Sequence, residues 1–221
     1  MPGNTFKIKL QGFIKEVMKE YGFERYNNQK MYLIQRRNDF VNTLLFEYSP
    51  MRGTRFIVAV QPLYVPCESL HITFGYRLRN SNGKVGYWGN DADKIDEDIE
   101  ELRELVYKEA MPFIEKVSSP LKIVSFIHND VFGDIQFPPS YRKEYLAYSL
   151  LKLKRYEEAV PILESVIEEL EKSKFESVKQ KVIIMRELEL KVRKKEYELI
   201  DMELSKNVSE LCKKIGWSEN N

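Results

Sequence analysis

The sequence predicts an α+β fold, an antiparallel sheet of about five strands packed by two helices and followed by an all-helical C-terminal extension. Three observations predict it. Apolar residues recur at three- and four-residue steps near the N-terminus, at two-residue steps through the next fifty or so positions, and at helical steps again from residue 93 onward.

In the opening stretch, Phe6, Leu10, Phe13, Ile14, Val17, Met18 and Tyr21 line one helical face, with Thr5 placed to cap it and Gly22 to stop it. The period then changes to two. Phe23 to Tyr26, Met31 to Arg36, Phe40 to Tyr48, Thr54 to Val65 and Leu70 to Leu78 are rich in β-branched and aromatic residues. Short polar turns separate them, which predicts an antiparallel meander ending at the turn Asn80-Ser81-Asn82-Gly83. Helical spacing returns from Asp93 to Val117 with acids crowded in the first turns, where they suit the helix dipole, and Pro112 is expected to kink it or start a new segment. Two helices on one face of such a sheet make a two-layer sandwich.

Gly133, Pro138 and Pro139 mark a boundary, giving an α+β domain over 1–137 and a helical extension over 138–221. Within the extension the pattern predicts helices over Tyr141 to Lys152 and Tyr156 to Glu171. A long charged helix is expected from about Phe175 to Lys206, and a last short one over Val208 to Ile215.

The stretch Tyr141 to Leu170 resembles one tetratricopeptide unit, with Leu146, Ala147 and Leu150 in its first helix and Tyr156, Ala159, Leu163 and Val166 in its second. Lys152-Leu153-Lys154-Arg155-Tyr156-Glu157-Glu158-Ala159 is its most characteristic part, although Lys154 stands where the turn usually has Gly. Read as a single copy, it implies a docked hairpin rather than a peptide groove, because solenoids need about three repeats. A wider resemblance covers residues 6 to about 170. Tyr21-Gly22-Phe23, Arg55-Phe56-Ile57-Val58-Ala59-Val60, Tyr64-Val65-Pro66, Arg77-Leu78-Arg79, Tyr87-Trp88, Met111-Pro112-Phe113 and Arg155-Tyr156-Glu157-Glu158-Ala159 follow in that order. Together they are similar to a bacterial domain-of-unknown-function family, the DUF entry numbered forty-three hundred and four. That resemblance implies a fold and a bacterial setting but no activity.

Composition narrows the function classes. Among 221 residues, 43% apolar and 31% charged describe a globular chain, and a net charge of +1 removes any global pull toward nucleic acid or an anionic membrane. The balance is uneven along the chain: residues 1–80 hold twelve Lys/Arg against six Asp/Glu, and residues 81–140 hold six against twelve. No run approaches the roughly eighteen apolar residues that span a bilayer, and the N-terminus lacks an apolar signal core, so a cytoplasmic protein without membrane contact is expected. Cys67 and Cys212 lie too far apart in sequence for a zinc cluster and suggest no disulfide framework. No cofactor and no metal are expected.

Catalytic patterns fall short. His71 and Thr73 in Leu70-His71-Ile72-Thr73-Phe74 supply half of a two-histidine phosphoesterase motif, and the other histidine, His128, has no hydroxyl residue two places on. Cys67 and His71 lack a third residue to orient a thiol–imidazole pair. The acids from Asp91 to Glu101 lack the Gly and ligand spacing of a calcium loop and read as a helix start capped by Asn90 or Asp91. Gly-rich phosphate loops and nucleophile elbows are absent from the sequence.

What remains is a segment that arginines and tyrosines share. Arg36, Arg55 and Arg77, with Tyr32 and Tyr76, are expected to form a partner-binding patch on the open face of the sheet, since Arg and Tyr dominate protein interfaces. The sequence therefore favours a non-catalytic protein-binding module, by analogy one that neutralises a toxin or host factor. The alternatives are nucleic-acid binding through the same face, which Arg52-Gly53-Thr54-Arg55-Phe56-Ile57-Val58 faintly echoes, and a phosphoesterase using His71 and Thr73. Glu189 and Glu196 interrupt any coiled-coil seam in the long helix, which favours a monomer or weak dimer.

Overall fold

A computed structural model describes residues 2–49, 52–70, 72, 74–83, 86–129 and 139–217. Its class is α+β, with a five-stranded antiparallel sheet and helices concentrated toward the C-terminus. The chain forms two compact units. The first lies within Met1–Gln61 and His71–Lys116, the second within Pro62–Leu70, Val117–Phe132 and Phe137–Asn221.

In the first unit α1 (Pro2–Tyr21) leads into a meander of β1 (Glu24–Arg25), β2 (Tyr32–Arg37), β3 (Phe40–Ser49), β4 (Gly53–Pro62) and β5 (Gly75–Arg77), each strand pairing with the next. Gly22 ends α1 at φ +72°, its N–H donating to Met18 O, because a side chain resists that left-handed turn. The helix starts at Pro2, ahead of the expected cap at Thr5. Tyr32 lies opposite Leu45 and Leu33 opposite Leu44, and this register continues to Arg37 opposite Phe40. Phe40, Leu44, Phe46, Phe56 and Val58 are buried on one face, where Phe46 stacks on Phe56 at 4.6 Å and meets Phe13 of α1 edge-on.

The expected helix from Asp93 is real but jointed. Asp91 accepts from Asp93 N at 3.1 Å and caps a short 3-10 turn, after which α2 (Ile95–Leu105) runs into a π-turn at Val106–Ala110 and then α3 (Met111–Lys116). Pro112 explains the joint. It has no N–H for the carbonyl one α-turn back, and the Met111 N–H reaches the wider partner Val106 O instead.

The second unit is helical: α4 (Pro120–His128), α5 (Pro139–Lys152), α6 (Tyr156–Leu170), α7 (Glu176–Arg193) and α8 (Tyr197–Lys214) pack in sequence. Ser119 caps α4, accepting from Lys122 N with Pro120 at the first turn. The single long helix expected from Phe175 to Lys206 is instead two helices, and the expected short helix over Val208 to Ile215 is the end of the second. The break repeats the one between α5 and α6. Lys154 and Lys195 both adopt φ +60°. Arg155 N donates to Leu150 O and Lys154 N to Leu151 O, just as Glu196 N donates to Lys191 O and Lys195 N to Val192 O. These are paired Schellman closures on lysine rather than glycine. Tyr156 and Tyr197 hold the same place after each turn and stack at 4.1 Å with planes 7° apart. A second helical hairpin therefore follows the first.

Residues 62–70, a run of turns and bends that begins at the end of β4, belong to this unit. Tyr64 is fully buried, its hydroxyl 2.9 Å from Ser149 Oγ of α5 and its carbonyl accepting from Asn207 Nδ2 of α8. Cys67 is half-buried and Cys212 buried. Glu144 of α5 lies buried against Lys181 of α7 at 2.5 Å. Burial pushes the Glu144 carboxyl up, against the pull of that ammonium.

Candidate functional site

Side chains alternate across a strand, so the register assigns each expected site residue to a face. Tyr32, Ile34 and Arg36 of β2 share a face with Leu45, Thr43 and Val41 of β3. Arg55 joins that face through an ion pair to Glu47 at 2.8 Å, and Arg77 joins it as the partner of Ile57. Tyr76 does not. It pairs with Val58, meets Phe113 edge-on at 5.3 Å, and donates its hydroxyl to Glu109 O at 3.4 Å across the π-turn. Burial, followed by the nearby Glu109 charge, pushes its phenol up to about 12. Tyr76 is thus part of the packing between sheet and helices, turned away from the other four.

The remaining four are not equivalent. Arg55 is held between the Glu47 carboxylate and the ring of Tyr87, 5.6 Å from its guanidinium carbon. Tyr32 and Arg77 occupy the next same-face level, through Leu45 and Ile57. All of these except the exposed Glu47 and the buried Ile57 are half-buried. Arg36 lies farther along, opposite the fully buried Val41, and Ile34, Thr43 and Ala59 between them are buried too. The face expected to be open is interrupted: half-buried side chains gather at its Glu47–Arg55 end, half-buried Arg36 stands at the other, and buried residues lie between. Tyr87 and Glu47 complete the patch at the first end, and neither was named from the sequence as a binding residue.

A groove of about 430 Å³ adjoins this end. Asn27 at φ +46° and Asn28 at φ +58° turn the chain sharply after β1, a conformation Asn tolerates better than most residues. The chain then returns along Gln29, Lys30 and Met31, and Met31 O accepts from Phe46 N at 2.9 Å. Phe46 is buried, while Met31, Tyr32, Tyr48 and Lys7 line the groove half-exposed. Tyr26 packs tilted against Tyr32 at 5.0 Å. Burial and that neighbouring phenol push the Tyr32 phenol up, partly offset by a hydrogen bond with Thr43.

A second, larger groove of about 610 Å³ runs beside α2 and is acidic. Two of its carboxylates hold the neighbouring loop. Glu101 accepts from Trp88 Nε1 and from Ser81 N, both at 2.6 Å, and Asp98 accepts from Gly89 N at 2.6 Å. The acids thereby fasten the loop after β5 to the helix. Burial pushes the Asp98 carboxyl up, although the Gly89 N–H draws it back.

His71 and Thr73 lie outside the described residues. Among the described residues no three His, Cys, Asp or Glu side chains are grouped to hold a metal ion, and no helix is long and apolar enough to cross a membrane. No family model, no curated protein and no solved structure matches the chain.

Proposed function

We propose that the chain is a non-catalytic protein-binding module whose first unit captures a partner through the Tyr32–Arg55–Arg77 end of the sheet. The observation that carries this is the setting of Arg55. Its guanidinium is fixed by Glu47 on one side and Tyr87 on the other, so little side-chain freedom is left to lose on binding. Tyr32 and Arg77 flank it with large, partly exposed side chains of the types that anchor interfaces. The same ion pair weakens the nucleic-acid alternative, because Glu47 already neutralises the arginine and would repel phosphate.

The second unit adds to the reading. Its two hairpins, with matching turns and stacked Tyr156 and Tyr197, support a tetratricopeptide-like reading, a scaffold suited to protein contact rather than chemistry. A place in the bacterial family numbered forty-three hundred and four belongs to the same proposal, as does a cytoplasmic setting.

Tagged protein captured from native lysate, with and without nuclease, tests it. One stoichiometric protein should be retained, and Arg55→Glu with Arg77→Glu should abolish its retention. Arg36→Glu, at the far end of the face, should have the smaller effect. Retention unchanged by the Arg55 and Arg77 reversals removes the sheet-face reading, and retention that needs nucleic acid replaces it.

A further inference from the structure

We infer that the groove lined by Lys7, Lys30, Met31, Tyr32, Phe46 and Tyr48 binds a short acidic peptide segment bearing an aromatic side chain. This rests on the protein-binding reading of the first unit and adds the chemistry of the partner.

Shape and lining come first. The groove, at about 430 Å³, falls within the size range of small-ligand and side-chain pockets. Phe46 lies buried beneath it, and Met31, the partner of Phe46, adds an adaptable thioether on the same face as Tyr48. Tyr48 offers an aromatic face with a hydroxyl tip, Tyr32 and Leu45 border the groove from the other face, and Gln11 and Gln29 supply amides able to bond a peptide main chain. An aromatic side chain inserted among these groups buries apolar surface and gains edge or stacking contacts.

Charge then selects the partner. Lys7 and Lys30 are the charged residues of the lining, and no carboxylate lies among them. Lys7 Nζ sits 4.0 Å from the centroid of the Tyr48 ring, a cation–π contact that holds the ammonium at the rim. Nearby lysines are used differently: Lys9, two residues along the same helix, is ion-paired with Asp96. A segment with Asp or Glu on both sides of one aromatic residue would meet Lys7 and Lys30 while its ring enters the groove. A basic segment would be repelled by both.

The probe is a fluorescein-labelled peptide with one phenylalanine between two pairs of aspartates, and the control replaces the aspartates with lysines. Fluorescence anisotropy with the full chain should show saturable binding of the acidic probe and at least tenfold weaker binding of the control. Lys7→Glu with Lys30→Glu should weaken the acidic probe about tenfold and strengthen the lysine peptide, a reversal that general damage to the fold would not produce. Amide shifts in the unmodified chain should concentrate at residues 7–11, 29–32 and 45–48. Equal binding of the two peptides, no binding of either, or shifts centred elsewhere would overturn the inference. If the peptide fails while capture still depends on Arg55 and Arg77, the groove assignment falls and the sheet-face reading stands.

Discussion

Lys154 and Lys195 each carry a left-handed backbone that glycine adopts without penalty and a side chain does not. Lys195→Gly should therefore raise stability by about 1 kcal/mol, read as a higher urea midpoint at unchanged slope. A lowered midpoint would mean that the lysine side chain serves the turn in some further way. Glu144 gives a residue-level test in pH. Burial holds its folded pKa above the ordinary 4.5, so the folded state keeps the proton more tightly than the unfolded chain. Its contribution is then fully present below pH 4.5 and is lost as pH rises through the raised value. Glu144→Gln should flatten that decline while leaving an oxygen for Lys181. Lys181→Met strands a buried carboxylate and should cost about 3 kcal/mol at neutral pH, less as Glu144 takes up its proton. Denaturation midpoints measured from pH 4 to 8 check both. Sequence reading at this scale had mixed reach. Asp91 as a cap was legible from its place ahead of an acidic turn. Tyr76 was assigned to the wrong side of the sheet, although its adjacency to Arg77 already required the two to point oppositely.

At the scale of elements, the class and the meander were legible because the change from helical to two-residue periodicity is sharp and the turns are rich in Asn and Gly. What escaped were features whose signals are weak in composition. The break between α7 and α8 falls in Arg193-Lys194-Lys195-Glu196, which contains neither Gly nor Pro, and helical spacing runs straight through it. Its one cue was the echo of Lys154-Arg155-Tyr156-Glu157 in Lys195-Glu196-Tyr197-Glu198. The start of α4 was available in Ser119-Pro120 but is short. The π-turn before Pro112 is a local answer to one missing donor, and a kink or a new segment is all that the sequence implies. Stacked Tyr156 and Tyr197 couple the two hairpins. Alanine at either and at both, run as a double-mutant cycle, should give a coupling of about 1 kcal/mol, and additivity would mean that the stack contributes nothing of its own.

For the molecule as a whole, net charge near zero and a sheet face already carrying its own Glu47 predict a shallow response to salt. Partner binding should change by only a fewfold between 50 and 200 mM salt, measured by equilibrium titration, whereas phosphate recognition would lose orders of magnitude. Candidate site residues were legible in kind, as Arg and Tyr within the strands, but not in arrangement. Register and burial decided which of them remain accessible, and both are set by side chains distant in sequence. Tyr87 joins the patch only because the segment after β5 returns beside β4, where Thr54 pairs with Trp88. The central claim is that partner capture uses the Glu47–Arg55 end of the sheet. Amide hydrogen exchange on the eluted complex against the free chain tests it most directly. New protection is expected in residues 30–34, 44–48, 54–58 and 75–78; protection confined to 176–214, with those strands unchanged, would contradict capture at this end.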